Sequence, residues 1–388
     1  MKHLARALTV MAIVIAFGLA SPAEADDLIV EKRTFVLPHY TTVGGATIDD
    51  VKIGWEAAGT LNADKSNAIL ITHYFSGTSH AFGKYAASDA APGYWDAIIG
   101  PGKAIDTDKL YVISSDTLVN LNANAPNVVT TGPASINPHS GKPYGMSFPV
   151  VAIKDFVNVQ KALIDSLGIK KLKAVMGASM GGLQAYEWAA SYPDSLERII
   201  AVIASAAADP YLIGWLDLWG QPIRLDPKWN GGDYYGREPP LDGLKAALKM
   251  VTLHAYHWQW AAQTFGRARA EESRDPAQAM DNKFKIQAFL EAAATARSAT
   301  ADANHFLYLV KANQLASADP SKIKVPALVL YAPNDLIFFA PLIEDTISRI
   351  TAAGTRVESG KLNGPNGHLD GVLAIGQAAD KIAAFLAK

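Results

Sequence analysis

The sequence predicts an α/β fold in which a mostly parallel sheet is interrupted by an inserted helical cap, and three observations carry the prediction. Apolar runs of four or five residues, the kind buried on both faces of a parallel sheet, recur along the chain. Between them lie segments whose apolar residues are three and four apart. One long stretch, 208–319, breaks this alternation with turn-rich sequence, then helical patterns, and no convincing strand.

Taken in order, residues 1–25 read as a secretory signal peptide. Lys2, His3 and Arg6 precede the apolar run from Ala7 to Ala20, and Ser21-Pro22-Ala23-Glu24-Ala25 offers a small-x-small site with cleavage expected after Ala25. That run is shorter than the roughly 20 residues of a spanning helix, and no later segment is apolar enough to span, so no membrane span is expected after cleavage. Residues 26–207 form the first part of the core. Strands are predicted at 28–30, 34–37, 51–55, 68–72, 110–114, 173–176 and 199–203, with helices at 150–167 and 182–191. The cap, 208–319, opens with Asp226-Pro227, Asn230-Gly231-Gly232 and Glu238-Pro239-Pro240, and continues with helical stretches near 241–265, 276–297 and 302–317. Residues 320–388 return to the core, with a strand at 327–331. A cap inserted there would wall off the carboxyl ends of the strands, where open α/β sheets place their ligands.

Composition narrows the chemistry. The chain has 388 residues, 49% hydrophobic and 19% charged, enough to bury a large core. With 35 Lys and Arg against 37 Asp and Glu and no basic stretch, it has no electrostatic footprint for nucleic acid. It contains no cysteine, which excludes disulfides, thiolate nucleophiles and cysteine-ligated metals. No glycine pattern of the nucleotide-binding kind opens a helix, so no cofactor is expected.

The predicted strand ending at Met176 runs directly into Gly177-Ala178-Ser179-Met180-Gly181, and a helix follows at once. G-x-S-x-G in a strand-turn-helix context presents a serine on a strained turn, where side chains at 177 and 181 would collide with neighbouring backbone. Ser179 is the expected nucleophile. A hydroxyl needs a base, and in folds that present serine this way the partners follow in the order Ser, Asp, His. Asp335 falls just beyond the last predicted strand, in Tyr331-Ala332-Pro333-Asn334-Asp335, and His368 is the sole histidine after the cap, in the loop Asn363-Gly364-Pro365-Asn366-Gly367-His368. Asp335 would orient the imidazole, with Asp370 as the rival acid, and His368 would shuttle the proton. Backbone donors for an oxyanion are expected from the Met180 amide and from the loop His73-Tyr74-Phe75-Ser76-Gly77. His254 and His257 could together face a metal but have no third ligand nearby in sequence, so no metal is expected. Trp258 and Trp260 read as packing residues.

These residues sit within longer stretches that resemble the homoserine O-acetyltransferase family of α/β-hydrolases. They include Trp55-Glu56, Gly59-Thr60-Leu61-Asn62, Trp95-Asp96, Thr131-Gly132-Pro133-Ala134-Ser135-Ile136-Asn137-Pro138, the elbow from Gly177 to Trp188, and Asp226-Pro227 with Trp229 and Tyr234-Tyr235 in the cap. The resemblance implies an α/β-hydrolase fold, a Ser179-Asp335-His368 triad, a second oxyanion amide at Phe75, and association of two copies through the cap. The chain departs from the family pattern at three places. The arginine expected before the cap Asp-Pro, thought to hold an amino acid carboxylate, is replaced by Gly220, with Arg224 nearby. The family's Gly-His-Asp is Gly367-His368-Leu369-Asp370, and Arg-Phe is missing before Asp302-Ala303-Asn304. Losing a bidentate carboxylate clamp weakens the basis for choosing homoserine.

An exported enzyme would not meet acetyl-CoA. The sequence therefore predicts an exported, periplasmic or secreted serine carboxylesterase that takes small short-chain acyl esters through an acyl-serine; an O-acyltransferase using acetyl-CoA is the alternative.

Overall fold

The computed structural model describes residues 28–388. The expected signal peptide lies outside the described residues. Eight strands build one sheet: β1 (Arg33–Thr41), β2 (Thr47–Ala58), β3 (Ala68–Thr72), β4 (Tyr111–Ser115), β5 (Ala174–Ala178), β6 (Ile199–Val202), β7 (Ala327–Tyr331) and β8 (Val357–Lys361). Their spatial order is β1-β2-β4-β3-β5-β6-β7-β8. The β1–β2 and β2–β4 pairs are antiparallel, and every later neighbour pairs in parallel.

The four central strands β3, β5, β6 and β7 are buried at every position, which is why their sequences are continuous apolar runs rather than alternating ones. Successive residues feed opposite layers. Leu70, Val175, Ala201 and Val329 join one core with helix α1 (Ile153–Ser166) and α2 (Met180–Ser191). Ile69, Met176, Ile200 and Leu328 join the other, with Ile382 and Phe385 from the C-terminal helix.

Between β6 and β7 the chain leaves the sheet through α3 (Pro210–Leu225), α4 (Leu241–Ala255), α5 (Trp258–Thr264), α6 (Lys285–Ser298) and α7 (Ala303–Gln314). Entry and exit are fastened together. The Ala208 amide donates to the Ala316 carbonyl at 3.0 Å, and the Ala318 amide to the Ala206 carbonyl at 3.1 Å. The last segment carries α8 (Ala340–Ala352), the one-turn α9 (Asp370–Leu373) and α10 (Ala379–Leu386).

Several local expectations need correction. Residues 28–30 form only an isolated bridge, Ile29 to Lys84, because no strand lies alongside to extend it. The stretch 241–265 is two helices broken at Tyr256 and His257, and the helix expected from 276 begins at Lys285. Helix α3 replaces what the sequence predicts as turn-rich chain. Asp209 caps it, its side chain accepting from the amides of Tyr211 and Leu212, and Leu212, Leu216, Trp219 and Ile223 bury its inner face although Pro222 lies inside. Trp260 does pack, stacked on Tyr256 with ring centres 3.6 Å apart, whereas Trp258 is 66% exposed. Among the described residues no helix is long and apolar enough to cross a membrane.

Candidate active site

Four parallel strands deliver the site from their carboxyl ends. After β5 the chain turns within one residue into α2, and that residue is Ser179, with φ 57° and ψ −120°. A non-glycine residue in this region is strained by about 1–3 kcal/mol and persists only where its surroundings enforce it. Here they do. A Cβ at Gly177 would lie 2.1 Å from Thr72 Oγ1, and one at Gly181 would lie 2.1 Å from the Thr72 carbonyl oxygen. Thr72, the last residue of β3, also donates its hydroxyl to the Gly181 carbonyl at 2.9 Å. Backbone packed this closely leaves the serine on the outside of the turn as the group with room to project.

His368 Nε2 lies 2.8 Å from Ser179 Oγ, and His368 Nδ1 lies 2.7 Å from Asp335 Oδ2. The three side chains are 8%, 6% and 2% exposed for Ser179, His368 and Asp335. With a carboxylate facing Nδ1, the proton belongs on Nδ1 and Nε2 is left to accept from the serine hydroxyl. The other Asp335 oxygen accepts the amides of Ile337 (2.7 Å) and Phe338 (3.0 Å), which fixes the carboxylate. Phe338 then lays its ring nearly parallel to the imidazole, centres 5.8 Å apart. Gly367 has φ +65°, and a Cβ there would come within 3.0 Å of His257, so the turn presenting His368 requires glycine. Asp370 instead holds the loop that carries the histidine, its oxygens accepting the side chain and amide of Asn366 at 2.7 and 3.1 Å.

The loop after β3 is bolted to the elbow helix. Gln184 donates to the carbonyls of His73 (3.2 Å) and Met180 (3.1 Å), and Asn120 donates to His73 Nε2 (3.2 Å) and the Gly77 carbonyl (3.1 Å). Burial pushes the His73 imidazole toward its neutral form, as that acceptor role requires. Phe75 and Met180 are both buried, and among the described residues no hydrogen-bond acceptor faces either amide. Gln184, Asn120 and Thr72 carry no sequence signal of these positioning roles, since each depends on a partner more than 40 residues away.

His254 and His257 do not face a common point. His254 Nε2 donates to the Leu336 carbonyl at 3.0 Å and its ring lies against Trp215 and Trp219, whereas His257 caps α5. Burial lowers the His254 pKa, with the carbonyl bond opposing and nearby His368 adding to the drop. Arg224 is drawn away to Asp217 at 2.7 Å, and Gly220 is buried against Leu307.

A strained serine, an imidazole and a carboxylate in hydrogen-bond sequence at the carboxyl edge of such a sheet define an α/β hydrolase. A family model for the α/β hydrolase fold matches residues 130–350. The chain is 40% identical to the homoserine O-acetyltransferase of Methanosphaerula palustris, over 88% of this chain and 70% of that one. Among solved structures, esterase E22 is 49% identical with a TM-score of 0.88, covering 92% of this chain and all of that one. The homoserine O-acetyltransferase of Bacillus anthracis is 36% identical with a TM-score of 0.88, over 93% and 98% of the two chains. The chain belongs to the homoserine O-acetyltransferase family, and it is an enzyme of the acyltransferase and hydrolase kind.

Proposed function

We propose that the protein is a serine carboxylesterase of short-chain acyl esters, and the observation that carries the reading is the continuous contact Ser179–His368–Asp335. In the first half-reaction Ser179 Oγ attacks the acyl carbon while His368 Nε2 takes its proton. The amides of Phe75 and Met180 receive the oxyanion, and the alcohol leaves with the proton from His368. In the second, His368 draws a proton from water, which attacks the acyl-serine and releases the acid.

Water as acceptor is favoured by this chain's own residues. Glycine stands at 220 where an acceptor carboxylate clamp is expected, Arg224 is engaged by Asp217, and Leu369 rather than an acid follows His368. The similarity to esterase E22 points the same way. The names of the curated relatives favour the second reading, an O-acyltransferase in which homoserine replaces water. The deciding experiment offers purified protein p-nitrophenyl acetate, then acetyl-CoA with homoserine. Nitrophenol release that Ser179→Ala abolishes supports the esterase; transfer to homoserine far faster than hydrolysis supports the transferase and overturns it.

Export belongs to the same proposal and rests on the pattern of residues 1–25. Periplasmic or secreted protein beginning at Asp26 supports it; cytoplasmic protein retaining Met1 contradicts it. Exposed Tyr211, Leu218 and Leu225 on α3 fit a homodimer through the cap, which sedimentation would reveal.

A further inference from the structure

Two buried acids flank the exit of the loop that carries the Phe75 amide, and one lysine stands between them. Glu56 in β2 and Asp116 just past β4 are both 0% exposed, and both hold Ser79. The Ser79 hydroxyl donates to Glu56 Oε1 at 2.6 Å and its amide to Asp116 Oδ1 at 2.8 Å. Lys32 Nζ donates to Glu56 Oε1 at 2.9 Å, to Asp116 Oδ2 at 3.2 Å and to Ser79 Oγ, which uses all three ammonium protons. His80 and Tyr85, stacked with ring centres 4.2 Å apart, cover Glu56 at 3.0 and 2.7 Å, with Asp89 behind Tyr85. The Val129 amide donates to Asp116 Oδ2 at 3.1 Å, and a Cβ on Gly54 would lie 2.3 Å from that oxygen, so this acid has no room to retreat.

Lys32 reaches this point on a short strap outside the sheet, fixed where the Val30 amide donates to the Lys84 carbonyl and the Lys84 amide to the Leu28 carbonyl, both at 2.8 Å. From Ser79 the chain leads straight back to the reacting atoms. The Gly77 amide donates to the Tyr74 carbonyl at 2.9 Å, closing a turn that contains Phe75 and ends two residues before Ser79. Burial keeps the other titratable side chains that feel these acids, His73, Tyr85 and Tyr94, in their neutral forms. Burial also acts to raise the Glu56 pKa, and the bonds from His80, Lys32, Ser79 and Tyr85 overcome it. Without the lysine, two buried carboxylates would share one serine, and like charges so placed cannot both stay ionised without moving apart.

We propose that Lys32 is a positioning residue for the oxyanion site: by joining Glu56 and Asp116 to Ser79 it sets the Phe75 amide against Ser179, and without it the site works only where one of the two acids carries a proton. The inference rests on the oxyanion role given to Phe75, which ester hydrolysis and acyl transfer share. Displacing one such donor by about 1 Å costs ~100-fold in rate, the scale of losing the donor outright.

The test measures p-nitrophenyl acetate hydrolysis by Lys32→Met, by Lys32→Arg, and by Lys32→Met combined with Glu56→Gln. The readout is the ratio of variant to parent kcat, in which the pH dependence common to both proteins cancels. For Lys32→Met the ratio should be ~0.01 at pH ~8 with KM within threefold. It should recover at least ~5-fold by pH ~6, where one acid takes up a proton and bridges to the other in place of the ammonium. Lys32→Arg keeps the charge, and its ratio should not change with pH. The double variant removes one charge of each sign and should regain at least ~10-fold of the lost kcat at pH ~8. A lysine needed for folding alone gives no ratio that rises toward acid. A Lys32→Met ratio constant within twofold over this range, a raised KM at unchanged kcat, or a double variant no better than the single one overturns the proposal. Should Lys32→Met not fold, Ser79→Ala reads the same link with the charges left paired: kcat ~10-fold lower at unchanged KM supports it, and unchanged kcat overturns it. The rate at which a fluorophosphonate labels Ser179 gives the same comparisons without turnover. A parent that labels but turns over no ester therefore refutes the esterase reading and leaves the role of Lys32 to be read from labelling.

Discussion

Asp335→Asn tests the proposed relay with the least disturbance to the fold. One carboxylate oxygen accepts the Ile337 and Phe338 amides, at 2.7 and 3.0 Å, and the other faces His368 Nδ1 at 2.7 Å. The introduced amide must keep its oxygen on the two backbone donors, because reversing it would set N–H against N–H twice. Its NH2 group then faces His368 Nδ1 and donates to it, which moves the imidazole proton to Nε2. In that tautomer Nε2 cannot accept from Ser179 Oγ, 2.8 Å away. The turn survives while the base is lost. By the cost of a wrong-tautomer histidine, kcat should fall about 10⁴-fold, or about 5.5 kcal/mol. The assay is p-nitrophenyl acetate hydrolysis, alongside urea unfolding to show a stability change below about 1 kcal/mol. A loss of less than tenfold in a folded variant would mean that Asp335 does not set the imidazole's proton.

Three further outcomes follow from the geometry. Ser179→Gly should abolish hydrolysis yet raise unfolding free energy by about 1 kcal/mol, since it relieves the strained φ of 57°; unchanged or lower stability in urea counts against the strain. Gly181→Ala should cost at least ~2 kcal/mol and most of the activity, because the new carbon meets the Thr72 carbonyl at 2.1 Å, and a near-neutral change by the same assay would contradict the close packing of the elbow. Burial alone would raise the Glu56 pKa, but bonds from His80, Lys32, Ser79 and Tyr85 outweigh it and hold the carboxyl down at about 2. Between that value and the ordinary 4.5 the unfolded chain binds a proton the folded chain does not, so this stability is present above pH ~4.5 and fades as pH falls toward ~2. Wild-type protein should therefore lose about 2 kcal/mol between pH ~5.5 and ~3 that Glu56→Gln does not lose, read from paired urea curves.

What the sequence made legible follows from how local each constraint is. The runs at 68–72 and 327–331 are strands with those same bounds, because burial on both faces leaves no choice but apolar side chains. β8, Val-Glu-Ser-Gly-Lys, escaped notice: it lies at the sheet edge, half covered, and carries the mixed polarity of a surface loop. Helix α3 hid behind Gly214, Gly220 and Pro222, residues that weaken a helix in isolation and are tolerated here because α4 and α7 cover its inner face. In the site, the turn that strains Ser179 demands glycines at fixed offsets and could be read directly. Asp335 and His368 were legible from their places after a strand and in a glycine-rich loop.

Catalysis through this triad requires an acyl group carried on Ser179. Acid-quenched protein mixed with p-nitrophenyl acetate, digested and weighed by mass spectrometry, should carry one acetyl group per chain on the peptide containing Ser179, with more of it surviving in Asp335→Asn if that carboxylate also serves deacylation. Acetyl found on another residue, or equally abundant in Ser179→Ala, would mean that Ser179 is not the nucleophile.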